Sequence, residues 1–272
     1  MLAGLLGACG GGDGEAAAPH LPRLDEVAAA DWAALANRQV FFGHQSVGND
    51  ILAGVADLLA ASPHPQLRLE PVRAGTAGAA GRPALRHAMI GRNGAPLDKI
   101  RDFRRHLEQA PGPRPDIALF KFCYVDFDHA TDVDALFTAY AQAMDELAQR
   151  YPATRFVHVT VPLESLPPTA WPRLKQAVKR LLGRPEVVAD NARRMRFNAL
   201  LKQHYPATRI VDLALAEAVS ADGTVASERL DGLRVQMLDR DYTTDGGHLN
   251  ATGRRRVAEQ FLVTLARVAG GS

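Results

Sequence analysis

The stretch from Gln39 to Asp50, QVFFGHQSVGND, decides the fold and raises the question of function. A run of apolar residues stops at a glycine, and the polar residues His44, Gln45 and Ser46 follow within three positions. The residues after Ser46 then have the apolar spacing of a helix. Buried strands that lead straight into helices are typical of α/β proteins with a parallel sheet, in which ligands bind beyond the carboxyl ends of the strands. The stretch therefore places three polar side chains where such proteins bind their ligands.

The same alternation of apolar runs and helical periodicity continues along the chain. The strand candidates are 39–43, 66–72, 116–125, 154–163 and 208–215, and the helix candidates are 48–61, 97–109, 132–150, 190–204 and 251–268. Three of the strands lack polar alternation, as expected where helices cover both faces of a sheet. Segments 164–186 and 220–238 interrupt this alternation of strands and helices and are interpreted as insertions that cover one rim of the sheet. The pattern predicts a single doubly wound α/β domain of flavodoxin-like type, with a five-stranded parallel sheet flanked by helices.

Composition excludes several classes of partner and cofactor. The 272 residues carry a formal net charge of +2 and are 47% hydrophobic, an ordinary balance for a globular protein. Since Arg254–Arg256 is the only basic run, no nucleic-acid partner is expected. The two cysteines form no zinc-type spacing, and Cys123, inside an apolar run, is expected to be a buried inert thiol. The sequence predicts no metal and no cofactor.

The first residues read as a processing signal. Residues 6–9, Leu-Gly-Ala-Cys, resemble the lipobox of bacterial lipoproteins, in which the cysteine is lipidated, although no basic segment precedes them. The resemblance implies a signal remnant at 1–9 ending at Cys9, a flexible tether and lead-in at 10–37, and a folded domain at 38–269. It also implies a protein anchored by lipid to the bacterial cell envelope, facing the periplasm or exterior. The alternative is a disordered N-terminus with a chance cysteine.

Ser46 is the first candidate for chemistry. A serine at a strand-to-helix turn projects its hydroxyl into the crevice, and the helix that follows offers unpaired N–H groups and a positive dipole end. Such N–H groups can stabilise an oxyanion. The alternative is that Ser46 only caps the helix.

Asp245 and His248 are the second candidates. They lie three residues apart in YTTDGGHLNATG (242–253), just before the last helix. A short loop with two glycines can bend so that the carboxylate orients the imidazole, which is then free to take a proton from a serine. Taken singly, the aspartate would be a turn residue and the histidine a surface or capping residue.

These two stretches resemble conserved blocks of the SGNH/GDSL hydrolase superfamily. DGGHLNATG (245–253) is similar to the last block, D-x-x-H-x-N/S-x-x-G, and FFGHQSVG (41–48) is similar to the first, which carries the nucleophilic serine. The resemblance covers residues 38 to 268. It implies a serine esterase of the SGNH fold in which Ser46 is the nucleophile, His248 the base and Asp245 its orienting acid.

The resemblance also implies an oxyanion hole. The N–H of Ser46 is one donor, and the second block, best matched by IGRNGAPLDKI (90–100), contributes the N–H of Gly94, with Asn93 beside it. The third block should supply an asparagine side chain. This sequence has KFCYVDF (121–127) instead, without asparagine.

Three residues are candidates for the lining of the site. Tyr124 or Asp126 takes the space of the missing asparagine, unless the oxyanion hole relies on Asn93. His44 stands roughly where the family has an aspartate, and holds the loop or serves the substrate.

A metal site is the competing interpretation of the same region. Asp126, Asp128 and His129 lie close together in the sequence, and His44 with the Asp245–His248 pair could converge on them as mixed oxygen and nitrogen ligands. The favoured interpretation is that the two aspartates cap the helix that starts near residue 131.

The sequence thus favours an esterase acting on a small-molecule or polysaccharide ester, such as an O-acylated carbohydrate of the cell envelope. One alternative is an O-acetyltransferase with the same triad. The other is a non-catalytic carbohydrate-binding protein on the same scaffold. Membrane contact is expected only through the lipid anchor, and the sequence does not indicate an oligomeric state.

Overall fold

The computed structural model describes residues 19–61, 67–72, 82–109, 113–166 and 187–271. Its α-helices are α1 (Ala29–Ala36), α2 (Ser46–Ala60), α3 (Pro96–Gln109), α4 (Val133–Arg150), α5 (Val187–His204), α6 (Leu213–Ala218) and α7 (Ala251–Gly270). Its strands are β1 (Gln39–His44), β2 (Leu69–Pro71), β3 (Ala84–Met89), β4 (Ile117–Phe120), β5 (Arg155–Val159), β6 (Ile210–Val211), β7 (Ser227–Leu230) and β8 (Leu233–Gln236).

The central sheet is parallel throughout and has the strand order β2-β3-β1-β4-β5-β6. The predicted α/β class is confirmed, but the described sheet has six strands where five were predicted. The unpredicted strand is β3, whose apolar pattern is broken by Arg86 and His87. The fold accommodates both, since Arg86 pairs with Glu70 at 3.3 Å and His87 contacts His44 at 3.0 Å.

Helices cover both faces of the sheet. Val40 and Phe42 of β1 face a core shared with α1, α2, α6 and α7. Phe41, which points the opposite way, joins a second core with α3, α4 and α5. Strands packed on both faces bury alternate side chains in two different cores, which explains why the predicted strands lacked polar alternation. The arrangement is doubly wound, as the sequence predicted.

Two sequence interpretations need correction within the fold, and the structure adds detail to a third. The strand expected at 208–215 is only β6, because Asp212 accepts the Leu215 N–H and starts α6. The insertion at 220–238 contains the antiparallel hairpin β7–β8. Asp126 and Asp128 do not cap the helix expected near residue 131. That helix is α4, and Asp132 caps it by accepting the Ala135 N–H at 3.0 Å. Most of the other insertion, residues 167–186, lies outside the described residues.

Part of the predicted lead-in packs on the domain. In α1, Trp32 and Leu35 are buried in the core, and the helix packs against α7. The predicted lipidation site, Cys9, lies outside the described residues. Across the ranges that the structure describes, no helix is long and apolar enough to cross a membrane.

Candidate active site

Ser46 is the first residue of α2, directly after β1. The capping position belongs to Gln45, whose side chain makes no cap and instead donates to the carbonyls of Ile90 (2.7 Å) and Gly91 (2.9 Å). Within the described part of the chain, no hydrogen bond engages the Ser46 hydroxyl, and the N–H groups of Ser46 and Val47 find no acceptor. The first turn of α2 therefore presents a free hydroxyl beside free N–H donors.

Asp245 and His248 form the predicted pair. Asp245 Oδ2 lies 2.7 Å from His248 Nδ1, and Asp245 Oδ1 accepts the N–H groups of Gly247 (2.9 Å) and His248 (2.8 Å). Burial acts to raise the pKa of Asp245, but these hydrogen bonds outweigh it and lower the pKa to about 2. The ionised carboxylate holds the Nδ1 proton, which leaves Nε2 of a neutral His248 as the basic nitrogen.

The two glycines between them are required by the geometry of the loop. Gly246 has φ = +97°, which favours glycine. A Cβ on Gly247 would lie 2.6 Å from the ring of Tyr124, so a larger residue would displace that ring. Glycine at both positions is thus a steric requirement of this site.

Asp50 ties the histidine loop to the serine helix. Its Oδ2 accepts the N–H of Leu249 at 3.2 Å, and its Oδ1 pairs with Arg254 at 2.9–3.0 Å. Asp50 follows Ser46 by about one helical turn, and Leu249 follows His248. The structure therefore brings Ser46 and His248 to the same corner of the molecule, although no hydrogen bond joins Ser46 Oγ to His248 Nε2.

The predicted oxyanion glycine has a different partner. The Gly94 N–H donates to Asp126 Oδ1 at 2.9 Å, because the buried carboxylate of Asp126 draws the 91–95 turn towards itself. Asn93 accepts a hydrogen bond from Lys99 Nζ through Oδ1 at 3.2 Å, and its Nδ2 group has no partner among the described residues. Of these two neighbours, the Asn93 amide is the one with a free donor.

Asp126 does not line the crevice. It is only 3% exposed and forms an ion pair with the fully buried Lys99, while its Oδ2 also accepts the Cys123 N–H at 2.7 Å. The carboxylate is thus a buried anchor for the loops after β3 and β4.

Tyr124 lies beside the Asp245–His248 pair. Its ring meets His248 edge-on with centroids 6.0 Å apart. Burial raises the pKa of Tyr124 to about 12, with further contributions from Glu164 and Asp245. Its hydroxyl is therefore protonated, and available as a donor, at neutral pH.

His44 is buried under the site and does not reach the surface. It is 1% exposed; its Nδ1 lies 3.0 Å from the Gln45 carbonyl and its Nε2 lies 3.0 Å from His87 Nδ1. Burial lowers the pKa of His44 to about 4, so the ring is neutral at pH 7. Of its two predicted roles, the geometry fits holding the loop.

The competing metal cluster does not come together. Asp126 is committed to Lys99, Asp128 accepts the Ala130 N–H at 2.9 Å in a local turn, and His129 is exposed. Within the described ranges, no three His, Cys, Asp or Glu side chains are grouped so that they could hold a metal ion.

Sequence reasoning missed two buried lysines near the site. Lys99 occupies the apolar stripe of α3 with Phe103 and Leu107, at intervals of four residues. Lys121 follows β4 and donates to the Phe122 carbonyl at 3.1 Å. A lysine inside an apolar stripe or strand is a signal that was visible in the sequence, because lysine is almost never buried without a partner.

No protein-family model matches the chain, and no curated protein matches it significantly. Among solved structures, it is similar to a Streptococcus pneumonia protein described as a platelet activating factor (15% identity, 83% of this chain and 82% of that chain, TM-score 0.48). It is also similar to a carbohydrate esterase family 3 protein from Talaromyces cellulolyticus (13%, 86% and 98%, TM-score 0.43). A third similar structure is the C-terminal domain of Drosophila Oskar (12%, 82% and 86%, TM-score 0.43). At TM-scores below 0.5 these likenesses assign no activity, which has to be argued from the residues of the site.

Proposed function

We propose that the protein is a serine-dependent esterase that cleaves acyl esters through Ser46, His248 and Asp245. The observation that carries the proposal is the Asp245–His248 hydrogen bond at 2.7 Å in a loop that Asp50 fixes against the first turn of α2. It leaves a basic Nε2 at the corner where Ser46 presents its hydroxyl. A nucleophile, a base and an orienting carboxylate are the parts that acyl transfer to serine requires.

The proposed reaction has two steps. Ser46 Oγ attacks the ester carbonyl and its proton passes to His248 Nε2, which then protonates the departing alcohol as the acyl-serine forms. In the second step a water molecule gives a proton to Nε2 and attacks the acyl-serine. Nε2 then returns that proton to Ser46 Oγ as the C–O bond breaks, which releases the acid and free Ser46. Asp245 stays ionised throughout and stabilises the imidazolium.

The oxyanion forms at the carbonyl oxygen in both steps. The N–H groups of Ser46 and Val47 at the start of α2 are donors of the required kind, and they lie at the positive end of the helix dipole. The Asn93 amide is the proposed side-chain donor. Tyr124, whose hydroxyl is protonated, borders the same space.

The proposed substrate is an O-acylated carbohydrate or cell-envelope polymer. It rests on the lipobox resemblance at Cys9, which implies attachment to the envelope. Transfer of the acyl group to a sugar hydroxyl instead of water uses the same acyl-serine. Product analysis with and without an acceptor sugar distinguishes an O-acetyltransferase from a hydrolase.

The proposal is tested with short p-nitrophenyl esters and a fluorophosphonate that reacts with activated serines. Wild-type protein should hydrolyse the esters and be labelled at Ser46. Ser46→Ala and His248→Ala should each lower turnover by several orders of magnitude, and the double variant little further, because the residues act as a unit. Ser220→Ala, which removes a half-buried serine hydroxyl from another loop, is the matched control. Ordinary turnover by a folded Ser46→Ala protein would refute the proposal, and the non-catalytic binding protein would then be the better interpretation.

A further inference from the structure

A buried ion pair lies directly behind the turn that carries Asn93. Lys99, in the first turn of α3, is 0% exposed, and Asp126, which follows β4, is 3% exposed. Taking two charges out of water is costly, so a buried pair needs good geometry and further hydrogen bonds. Asp126 has them, since it accepts the N–H groups of Gly94 (2.9 Å) and Cys123 (2.7 Å) as well as the ammonium.

The lysine also fixes the orientation of the Asn93 amide. Lys99 Nζ donates to Asn93 Oδ1 at 3.2 Å. An ammonium group can only donate, so the amide oxygen has to face it and the NH₂ group has to point away. Among the described residues nothing accepts from that NH₂ group. Asn93 therefore presents a donor with a defined direction.

The topology of the sheet brings this turn to the nucleophile. β1 lies between β3 and β4. The 91–95 turn follows β3 yet bonds to Asp126 beyond β4, so it has to cross the carboxyl end of β1, where the chain continues into Ser46. The Gln45 side chain bonds the turn at Ile90 and Gly91, which fixes it to the residue next to Ser46.

We propose that Lys99 and Asp126 are positioning residues, which together hold the Asn93 Nδ2 group as the side-chain donor to the oxyanion. The inference rests on the proposed esterase activity and deepens it. It assigns the task of the asparagine that KFCYVDF lacks to a residue of a different loop, held by a buried charge pair.

The first test separates the donor from its support. Asn93→Asp keeps an oxygen that faces Lys99 but loses the NH₂ group, whereas Asn93→Ala loses both. Each should lower kcat on p-nitrophenyl acetate by about 10²-fold, with KM changed less than threefold, because an oxyanion donor acts mainly in the transition state. Arg92→Met removes an exposed cation from the same turn and is the control, with kcat unchanged. A folded Asn93→Asp protein with wild-type kcat would overturn the inference.

The second test addresses the pair. Lys99→Met leaves Asp126 as an unpaired buried charge and is at risk of not folding. Lys99→Met with Asp126→Asn removes both charges and keeps one oxygen, which can accept from either the Gly94 or the Cys123 N–H group. In the folded double variant kcat should fall at least tenfold, and adding Asn93→Ala should lower it little further. If the pair only stabilises the fold, kcat of the double variant should be unchanged, or adding Asn93→Ala should lower it by the full factor seen in the wild-type background. Either result would overturn the inference.

The rate of fluorophosphonate labelling at Ser46 distinguishes failure of the proposed esterase activity from failure of the positioning role. If wild-type protein is neither labelled nor active, the proposed function fails and this inference fails with it. If wild-type protein is labelled and active while the Lys99 and Asn93 variants match it, only the inference fails. Labelling that slows in parallel with kcat across the variants supports both.

Discussion

Asp50 accepts the backbone N–H of Leu249 at 3.2 Å across 199 residues of sequence. The bond joins the helix that begins with Ser46 to the residue after His248, so one carboxylate ties the helix of the proposed nucleophile to the loop of its base. Its side chain is 9% exposed and is also paired with Arg254.

Replacing Asp50 should therefore lower kcat more than loss of its salt bridge with Arg254 alone would. Asp50→Ala leaves the Leu249 N–H unpaired and frees the histidine loop, so we expect kcat to fall by 10- to 10²-fold, as roughly 1 Å of misplacement can cause. Arg254→Gln is the control, because it removes the charge of the partly exposed Arg254 and leaves the Leu249 bond in place. Ester turnover of the folded variants is the measurement. Equal kcat values for the two variants would contradict this role.

Asp245→Asn should abolish most activity and leave the loop folded. The asparagine oxygen can still accept the N–H groups of Gly247 and His248, but its NH₂ group cannot accept the Nδ1 proton, so His248 adopts the wrong tautomer. The expected loss in kcat is about 10⁴-fold. Turnover within tenfold of wild type, measured on p-nitrophenyl acetate, would show that the carboxylate does not orient the base.

Asn250→Ala should cost stability and spare catalysis. The Asn250 side chain caps α7 by accepting the Gly253 N–H at 3.1 Å, and it donates to the Asp241 carbonyl at 2.8 Å. Losing such a cap costs about 1 kcal/mol. Urea unfolding should show this loss, with kcat unchanged where the variant is folded. A loss of kcat comparable to that of Asn93→Ala would place Asn250 in the active site instead.

Glu217 predicts how stability depends on pH. It is fully buried, with one carboxyl oxygen accepting the Leu163 N–H at 2.6 Å, and burial raises its pKa from 4.5 to about 8. The folded state therefore holds a proton that the unfolded state releases, so this stabilisation is complete below pH 4.5 and is lost as pH rises to 8.

Glu217→Gln tests that dependence, because it keeps an acceptor and removes the titration. From pH 5 to pH 8 the free energy of unfolding of wild type should fall relative to the variant by about 3–5 kcal/mol, as followed by urea unfolding. Parallel pH profiles for the two proteins would refute the neutral carboxyl.

Cys9 remains a prediction from sequence. Expressed in a bacterium with a complete lipoprotein leader joined ahead of Leu6, the protein should fractionate with membranes, since two or more acyl chains give stable anchoring. Cys9→Ala should release it into the soluble fraction. Equal membrane association of both forms would remove the basis for an envelope substrate.

The parts of the fold that the sequence predicted are those with local signals. The five predicted helices begin and end within about three residues of those observed. Four of them carry apolar residues at helical spacing, whereas the buried face of α5 is mostly polar. The strand β3 was missed because Arg86 and His87 acquire their partners only through strand pairing. The second half of 208–215 was predicted to be strand, although it begins the helix α6, because its apolar residues would be buried in either a strand or a helix.

The site divides in the same way. Asp245 and His248 were predictable because they are three residues apart and form their bond within one loop. The commitment of Gly94 to Asp126, 32 residues later, depends on the order of β3, β1 and β4 in the sheet, which no local pattern encodes. In the sequence, Asp50 is indistinguishable from an ordinary polar residue of a helix. Its role appears only when Leu249 and Arg254, at the start of α7, lie beside it.

The contact between His44 and His87 determines which of the two imidazole rings is protonated first as the pH falls. His44 Nδ1 faces a carbonyl oxygen, so it has to carry the hydrogen. In the neutral ring, Nε2 then has a lone pair and can only accept a hydrogen bond. His87 Nδ1 then has to be the donor across the 3.0 Å contact, which leaves the bare nitrogen of the pair at His87 Nε2. On acidification the first proton therefore binds to the outer ring without disturbing the contact. A second proton would have to break it, so the inner imidazole is shielded by its neighbour until His87 turns away.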